Sequence, residues 1–229
     1  MALRGGSGYD ITSELTDDIE ETLPDWSLWP TWPHDMGYST RGCVRKCQFC
    51  IVPKKEGAFR IVADFGDLTT GRPTMILHDN NVTAAPIEHF RQFCTDATAA
   101  GVTIDFNQGL DARLLTDEHA AIIARSKFAR RIHLAFDHVR DESAVRGAIE
   151  TLTAAGISRS RLTFFVLIGF DSTPDDDMYR VQTLRELGVD PFVMKFKLYE
   201  PYQRRFARWV NNKVAFKAMT WPEFQAARV

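Results

Sequence analysis

The 229-residue chain holds only four cysteines, and nowhere does it carry a run of about twenty apolar residues of the kind that crosses a bilayer. Three of those cysteines crowd into eight positions, which excludes a framework of spaced disulfides. The start lacks the basic-then-apolar plan of a secretory leader. Together these absences predict a cytoplasmic chain with no membrane attachment, in which thiols stay reduced. Net charge is nearly absent too, at -2, but its distribution is uneven. Residues 1 to 40 hold eight acids and a single base, Arg4, whereas residues 195 to 229 hold eight bases against Glu200 and Glu223. Glycine is concentrated only in Gly5-Gly6-Ser7-Gly8-Tyr9-Asp10, behind just four residues. A phosphate loop needs a strand before its glycines and a helix after them, so none is expected there.

What is present includes 45% hydrophobic residues, enough for one sizeable core with short appendages. The organising stretch is Thr40-Arg41-Gly42-Cys43-Val44-Arg45-Lys46-Cys47-Gln48-Phe49-Cys50-Ile51-Val52-Pro53. Cys43, Cys47 and Cys50, spaced C-x3-C-x2-C, can turn three thiolates toward one point from a single loop. Three thiolates are one fewer than the irons of a cubane cluster, which leaves an iron open to bind and activate a small molecule. Phe49 stands between the second and third of them, where its ring can lie against a bound ring. Zinc is the competing reading, with His34 available to complete a Cys3His set, although zinc sites usually draw on two separated pairs. Cys94, in Phe90-Arg91-Gln92-Phe93-Cys94, reads as a small buried hydrophobe on a helix.

From Met36 onward short apolar runs alternate with helical stretches, the pattern of β/α units on a parallel sheet. Six strands are expected, over residues 37–40, 74–78, 103–107, 131–136, 162–168 and 191–197. Helices are expected over 86–100, 116–125, 142–155 and 174–187. The last has the clearest start: Thr173 caps it, Pro174 suits the first turn, and Asp175 to Asp177 meet the positive end of the dipole. Met178, Val181, Leu184 and Leu187 give it an apolar stripe. Ligands in such architectures gather at the carboxyl ends of the strands, where this sequence repeatedly places polar residues.

At the cysteines the sequence resembles the radical S-adenosylmethionine superfamily, whose C-x3-C-x-aromatic-C signature is matched residue for residue by Cys43, Cys47, Phe49 and Cys50. Ile51 to Gly57 and Phe165 to Thr173 are similar to segments of its methylthiotransferase-like branch. The resemblance spans residues 36–198, with a short region ahead of it, and implies an α/β fold of one kind, a partial (β/α)6 barrel. It implies a 4Fe-4S cluster on Cys43, Cys47 and Cys50, and S-adenosyl-L-methionine as the second cofactor. The expected reaction is reductive cleavage of that molecule to methionine and a 5'-deoxyadenosyl radical, which abstracts hydrogen from an unknown substrate. Asp79 and Asn80 stand where the superfamily carries a Gly-Gly-Glu-like stretch for the methionine amino group, although that triplet does not occur here. Asn107 and Arg113 follow the third strand, and Arg113 suits a bidentate contact with the methionine carboxylate. Asp137 is expected to accept from the ribose hydroxyls. Ile168 and Gly169 are expected to pass backbone along the adenine, a close approach that glycine permits.

Arg41, Arg45, Lys46, Lys54 and Lys55 surround the cysteines, favouring a reduced cluster and an acidic reducing partner such as flavodoxin or ferredoxin. Residues 1–35 read as an acidic lead-in that Trp26, Trp29 and Trp32 pin to the body, and residues 199–229 as a basic, aromatic tail. The tail supports two readings. Bases interleaved with aromatics suit phosphate and stacking contacts with nucleic acid, and an amphipathic segment with Phe206, Trp209 and Val210 inward would close the fold's open edge. At this point four functions stand open: a radical enzyme of unknown substrate, an RNA-modifying enzyme like the methylthiotransferases, a zinc-stabilised nucleic-acid-binding module, and a cluster-holding relic without turnover.

Overall fold

Apolar runs such as Leu162–Ile168 become strands, and some helices begin at side-chain caps, Thr173 before Pro174 and Glu200 before Pro201. In the computed structural model residues 9–10, 13, 15–20, 22 and 25–227 are described; most of the glycine-rich opening lies outside them. The order is α1 (Asp17–Glu20), β1 (His34–Gly37), β2 (Thr40–Arg41), α2 (Val52–Lys55), β3 (Arg60–Ile61), α3 (Phe65–Leu68), β4 (Thr74–Leu77), α4 (Ile87–Ala99) and β5 (Thr103–Phe106). It continues with α5 (Asp117–Arg125), β6 (Ile132–Ala135), α6 (Glu142–Ala154), β7 (Leu162–Ile168), α7 (Pro174–Glu186), β8 (Asp190–Lys195), α8 (Pro201–Asn211), α9 (Lys213–Ala218) and α10 (Trp221–Ala226). The chain divides into two compact units, residues 1–110 with 121–129, and residues 111–120 with 130–229.

In the first unit β1, β4 and β5 form a parallel sheet in that order, with Gly37 opposite Leu77 and Leu77 opposite Phe106. Met75, Leu77 and Ile104 are fully buried and α4 lays Phe90, Phe93 and Cys94 into the same core. The first strand lies earlier than the sequence pattern places it, over 34–37 in place of 37–40, because a carboxylate sits inside it. Asp35 is fully buried, and its oxygens accept from the Thr70 amide at 2.9 Å and the Thr70 hydroxyl at 2.6 Å. That long-range satisfaction lets an acid occupy a strand interior. Thr40 and Arg41 form a separate antiparallel pair with Arg60 and Ile61. Trp26 takes the Arg72 guanidinium on its face at 4.8 Å and Trp32 meets the His34 ring edge-on at 5.0 Å, whereas Trp29 is largely exposed.

In the second unit β6, β7 and β8 form another parallel sheet in sequence order. Phe164, Val166 and Ile168 are fully buried on one face of β7. The opposite face carries an aromatic row in which Phe165 lies 5.1 Å from His133 and 6.0 Å from Phe192. The basic tail forms α8, α9 and α10. Phe206, Trp209 and Val210 are buried, and the Trp209 indole donates to the Met219 carbonyl at 3.1 Å. Asn211 of α8 pairs with both backbone groups of Val193, accepting from its N–H at 2.7 Å and donating to its carbonyl at 3.0 Å. A side chain thereby occupies hydrogen-bonding groups that an edge strand would otherwise present to another chain. Among the described residues no helix is long and apolar enough to cross a membrane.

Candidate functional site

The cysteine loop begins directly beyond the carboxyl end of β1. Pairing of β2 with β3 draws residues 41 and 60 together and closes a loop over 42–59 that holds all three cysteines. Gly42 has φ +73°, and a side chain there would run into the Ala58 carbonyl, so the neck of the loop is tight enough to require glycine. Arg41 braces the neck, forking onto the Glu56 carboxylate and lying over the Tyr38 ring at 4.4 Å. Within the loop the Cys50 amide donates to the Cys47 carbonyl at 3.0 Å, and the Arg45 amide points at Cys43 Sγ at 3.3 Å.

All three thiols are half-buried. In chemistry they fit an iron–sulfur cluster: three sulfur donors on one cinched loop, one already receiving N–H groups. Among the described residues no three His, Cys, Asp or Glu side chains are gathered closely enough to hold a metal ion, so the loop carries the donors without converging them. His34 stands at the opposite end of β1 from the loop, separated by roughly 10 Å of strand rise, which removes it as a fourth zinc ligand. Cys94 is fully buried on α4, and burial pushes its thiol up to about 12. Phe49 is 36% exposed on the loop.

The residues after β4 fasten this loop. Asp79 Oδ2 accepts from the Ser39 hydroxyl at 2.8 Å and Oδ1 from the Thr40 amide at 2.6 Å. Asn80 Oδ1 accepts from the Gly42 amide at 3.0 Å, and Asn81 Nδ2 donates to Cys43 Sγ at 3.5 Å. The oxygens expected to face a methionine amino group are therefore engaged by the cysteine loop. Asn81 went unnoticed in the sequence, its only signal being its place in the run His78-Asp79-Asn80-Asn81.

Burial is the main force that raises Asp79, to about 6, against the lowering by its Thr40 and Ser39 donors. Between its ordinary value of 3.8 and about 6 the folded protein binds more protons than the unfolded chain, so stability falls as pH rises through that window. Relative to Asp79→Asn, wild type is expected to lose melting temperature between pH 4 and pH 6 and to hold a constant difference above pH 7. A difference that stays flat from pH 4 to pH 7 would refute this titration.

In the second unit the strand ends are polar. Arg113 forks onto Asp111, Nε to Oδ1 at 2.7 Å and Nη2 to Oδ2 at 3.1 Å, and reaches Asp141 at 3.3 Å. Its bidentate edge is thus occupied by an internal carboxylate, a partner the sequence reading passed over. Asp137 accepts from the Leu167 amide at 2.9 Å, and burial raises its carboxyl against the lowering by that amide, Arg180 and Arg113. It lines a small cleft with His138, Asp171, Ser172, Asp176 and Arg180. Arg180 is fully buried, donates to the Phe136 and Leu167 carbonyls, each at 3.0 Å, and pairs with Asp177 at 2.7 Å.

Ile168 is fully buried, and Gly169 follows it with φ +78°. The space beside Gly169 is taken by the Gln203 amide of α8, which also accepts from the Lys197 amide at 2.9 Å. Asn107 is exposed in the first unit, its backbone amide donating to the Leu77 carbonyl at 3.1 Å.

These features define an α/β protein with two parallel three-stranded sheets and a cysteine-bearing loop at the carboxyl end of its first strand. No family model matches the chain, and no curated protein is significantly similar to it. Among solved structures it is similar in fold to SuiB of Streptococcus suis, solved bound to precursor peptide SuiA, with a TM-score of 0.56 at 11% identity over 81% of this chain. The match covers 46% of SuiB, so the chain spans less than half of that protein's length.

Proposed function

We propose that the chain is a radical S-adenosylmethionine enzyme. The observation that carries this reading is the C-x3-C-x-aromatic-C loop set at the carboxyl end of β1, where parallel α/β architectures present their ligands. The likeness to SuiB supports the α/β fold on which that loop is mounted. In this reading Cys43, Cys47 and Cys50 hold a 4Fe-4S cluster, and residues 36–198 form a partial (β/α)6 barrel of the radical S-adenosylmethionine type. When bound, that cluster supplies reductive cleavage of S-adenosyl-L-methionine to methionine and a 5'-deoxyadenosyl radical.

The chain's own residues bind, orient and exclude water. Arg113, held in place by Asp111 and with its longer contact at 3.3 Å to Asp141, would be the residue to hold the methionine carboxylate. Asp137, in its cleft, would accept from the ribose hydroxyls, and the backbone of Ile168 and Gly169 would follow the adenine on the side that Gln203 leaves open; in the first unit Phe49 and Asn107 are the further candidates for cofactor contact. Exposed Lys46 and Lys54 present positive charge beside the cysteines to an acidic reductant such as flavodoxin or ferredoxin. In the tail Phe206, Trp209, Phe216 and Phe224 are buried, Tyr199 alone among its aromatics is strongly exposed, and Arg205 donates to the Gln225 and Ala227 carbonyls at 2.6 and 3.2 Å, which favours closure of the fold over nucleic-acid binding.

The test is anaerobic. Protein reconstituted with iron and sulfide and reduced with dithionite is expected to release 5'-deoxyadenosine and methionine from S-adenosylmethionine. Tight binding of one zinc ion with no 5'-deoxyadenosine would sink the enzyme reading.

A further inference from the structure

Three consecutive side chains, Asp79, Asn80 and Asn81, each bond to a different point of the segment that leads into the first cysteine. Asp79 holds Ser39 and Thr40, Asn80 holds the Gly42 amide, and Asn81 reaches the sulfur of Cys43. Asp79 and Asn81 are 3% and 4% exposed, so the Asp79 bonds lie away from competing water and the Asn81 bond to half-buried Cys43 is partly shielded from it. The three residues leave the end of β4, the strand paired in register beside β1, so the clamp is mounted on the same sheet that launches the loop. Gly42 stands between the Asn80 bond and Cys43, with the Ala58 carbonyl against its other side, and the loop has little freedom to swing there.

We infer that Asn81 is a positioning residue that directs an N–H at the Cys43 sulfur and thereby raises the reduction potential of the group the cysteines hold, with Asp79 and Asn80 fixing the loop that carries that sulfur. The inference rests on the cluster reading above. Its physical basis is general: an N–H donor to a ligating sulfur stabilises the more negative, reduced state, and such outer partners orient the ligand as well. Asn81 acts through Cys43 and touches no reacting atom, so loss of activity alone would not identify it.

The experiment compares reconstituted wild type with Asn81→Leu and with the isosteric Asn81→Asp, measuring iron and sulfide per chain, melting temperature and midpoint potential. Both variants are expected to titrate at a more negative potential than wild type, Asn81→Asp by more, because it removes the donor and adds a negative charge in the same shape. Midpoints equal to wild type in loaded, folded variants would overturn the role of Asn81. A wild type that takes up no iron and sulfide would instead overturn the functional reading and this inference with it. A second arm needs no metal: in the cluster-free protein, Asn80→Ala is expected to speed amide exchange at Gly42 roughly fivefold, the effect of losing one hydrogen bond. Unchanged exchange there would overturn the clamp.

Discussion

Cys47→Ala, reconstituted anaerobically, is expected to lose the visible absorption of an iron–sulfur cluster and all release of 5'-deoxyadenosine, whereas Cys94→Ala keeps both. The contrast follows from where the four thiols stand. Cys47 is half-buried in the middle of the cinched loop, its carbonyl tied to the Cys50 amide in the turn that sets the spacing of the second and third donors. Only three thiols are available there, so removing one leaves two protein ligands for four irons. Cys94 is fully buried on α4, its thiol held neutral by burial, and a thiol in that state is neither a ligand nor a nucleophile. Its replacement trades a sulfur for a small void in the core, a cost of about 1 kcal/mol, visible in melting temperature and not in iron content. Loss of the cluster in Cys94→Ala would show that the ligand set is misassigned. Retention of full iron and 5'-deoxyadenosine in Cys47→Ala would remove the loop from the chemistry altogether.

What could be read from the sequence is what local interactions decide. The strand over 162–168 is observed at those residues, because an apolar, aromatic run ending in glycine needs no distant partner to explain it. The helix at Thr173 begins where its cap, its proline and its three acids place it: Thr173 accepts from the Asp176 amide and Asp176 answers onto the Thr173 amide. Its buried face was less legible. Met178 and Leu187 of the expected stripe are only half-buried, while Asp177 and Arg180, outside that stripe, lie inside. Two charges three apart on a helix face are usually solvated; here they are buried because carbonyls of two strands and a tyrosine of α8 complete their bonding. The same reason hid Asp35 in β1 and Asn81 beside Cys43. These roles are set by partners 13 to 44 residues away in sequence, which periodicity and spacing do not encode.

Replacing Arg180 by Met is expected to destabilise the protein by about 3–5 kcal/mol, the cost of leaving a buried charge without its partner. Arg180 and Asp177 are 0% and 1% exposed and 2.7 Å apart, so the surviving Asp177 carboxylate would keep only the Ser172 hydroxyl at 2.6 Å and the Tyr202 hydroxyl at 3.2 Å. Burial already pushes the Asp177 carboxyl above its ordinary value, and without the guanidinium it would take up a proton more readily. The loss also reaches the strand ends, because the same guanidinium holds the Phe136 and Leu167 carbonyls. Those two residues frame Asp137: Phe136 precedes it, and the Leu167 amide donates to its carboxylate. Arg180→Lys is not a mild change, since an ammonium cannot serve these acceptors through one planar fork. Denaturant unfolding of Arg180→Met, Asp177→Asn and the double variant separates the contributions. The double variant is expected to be more stable than the sum of the two single losses implies, because it removes both charges at once. Strict additivity would mean that the pair is not coupled, and that Arg180 stabilises the second unit only through the strand-end carbonyls.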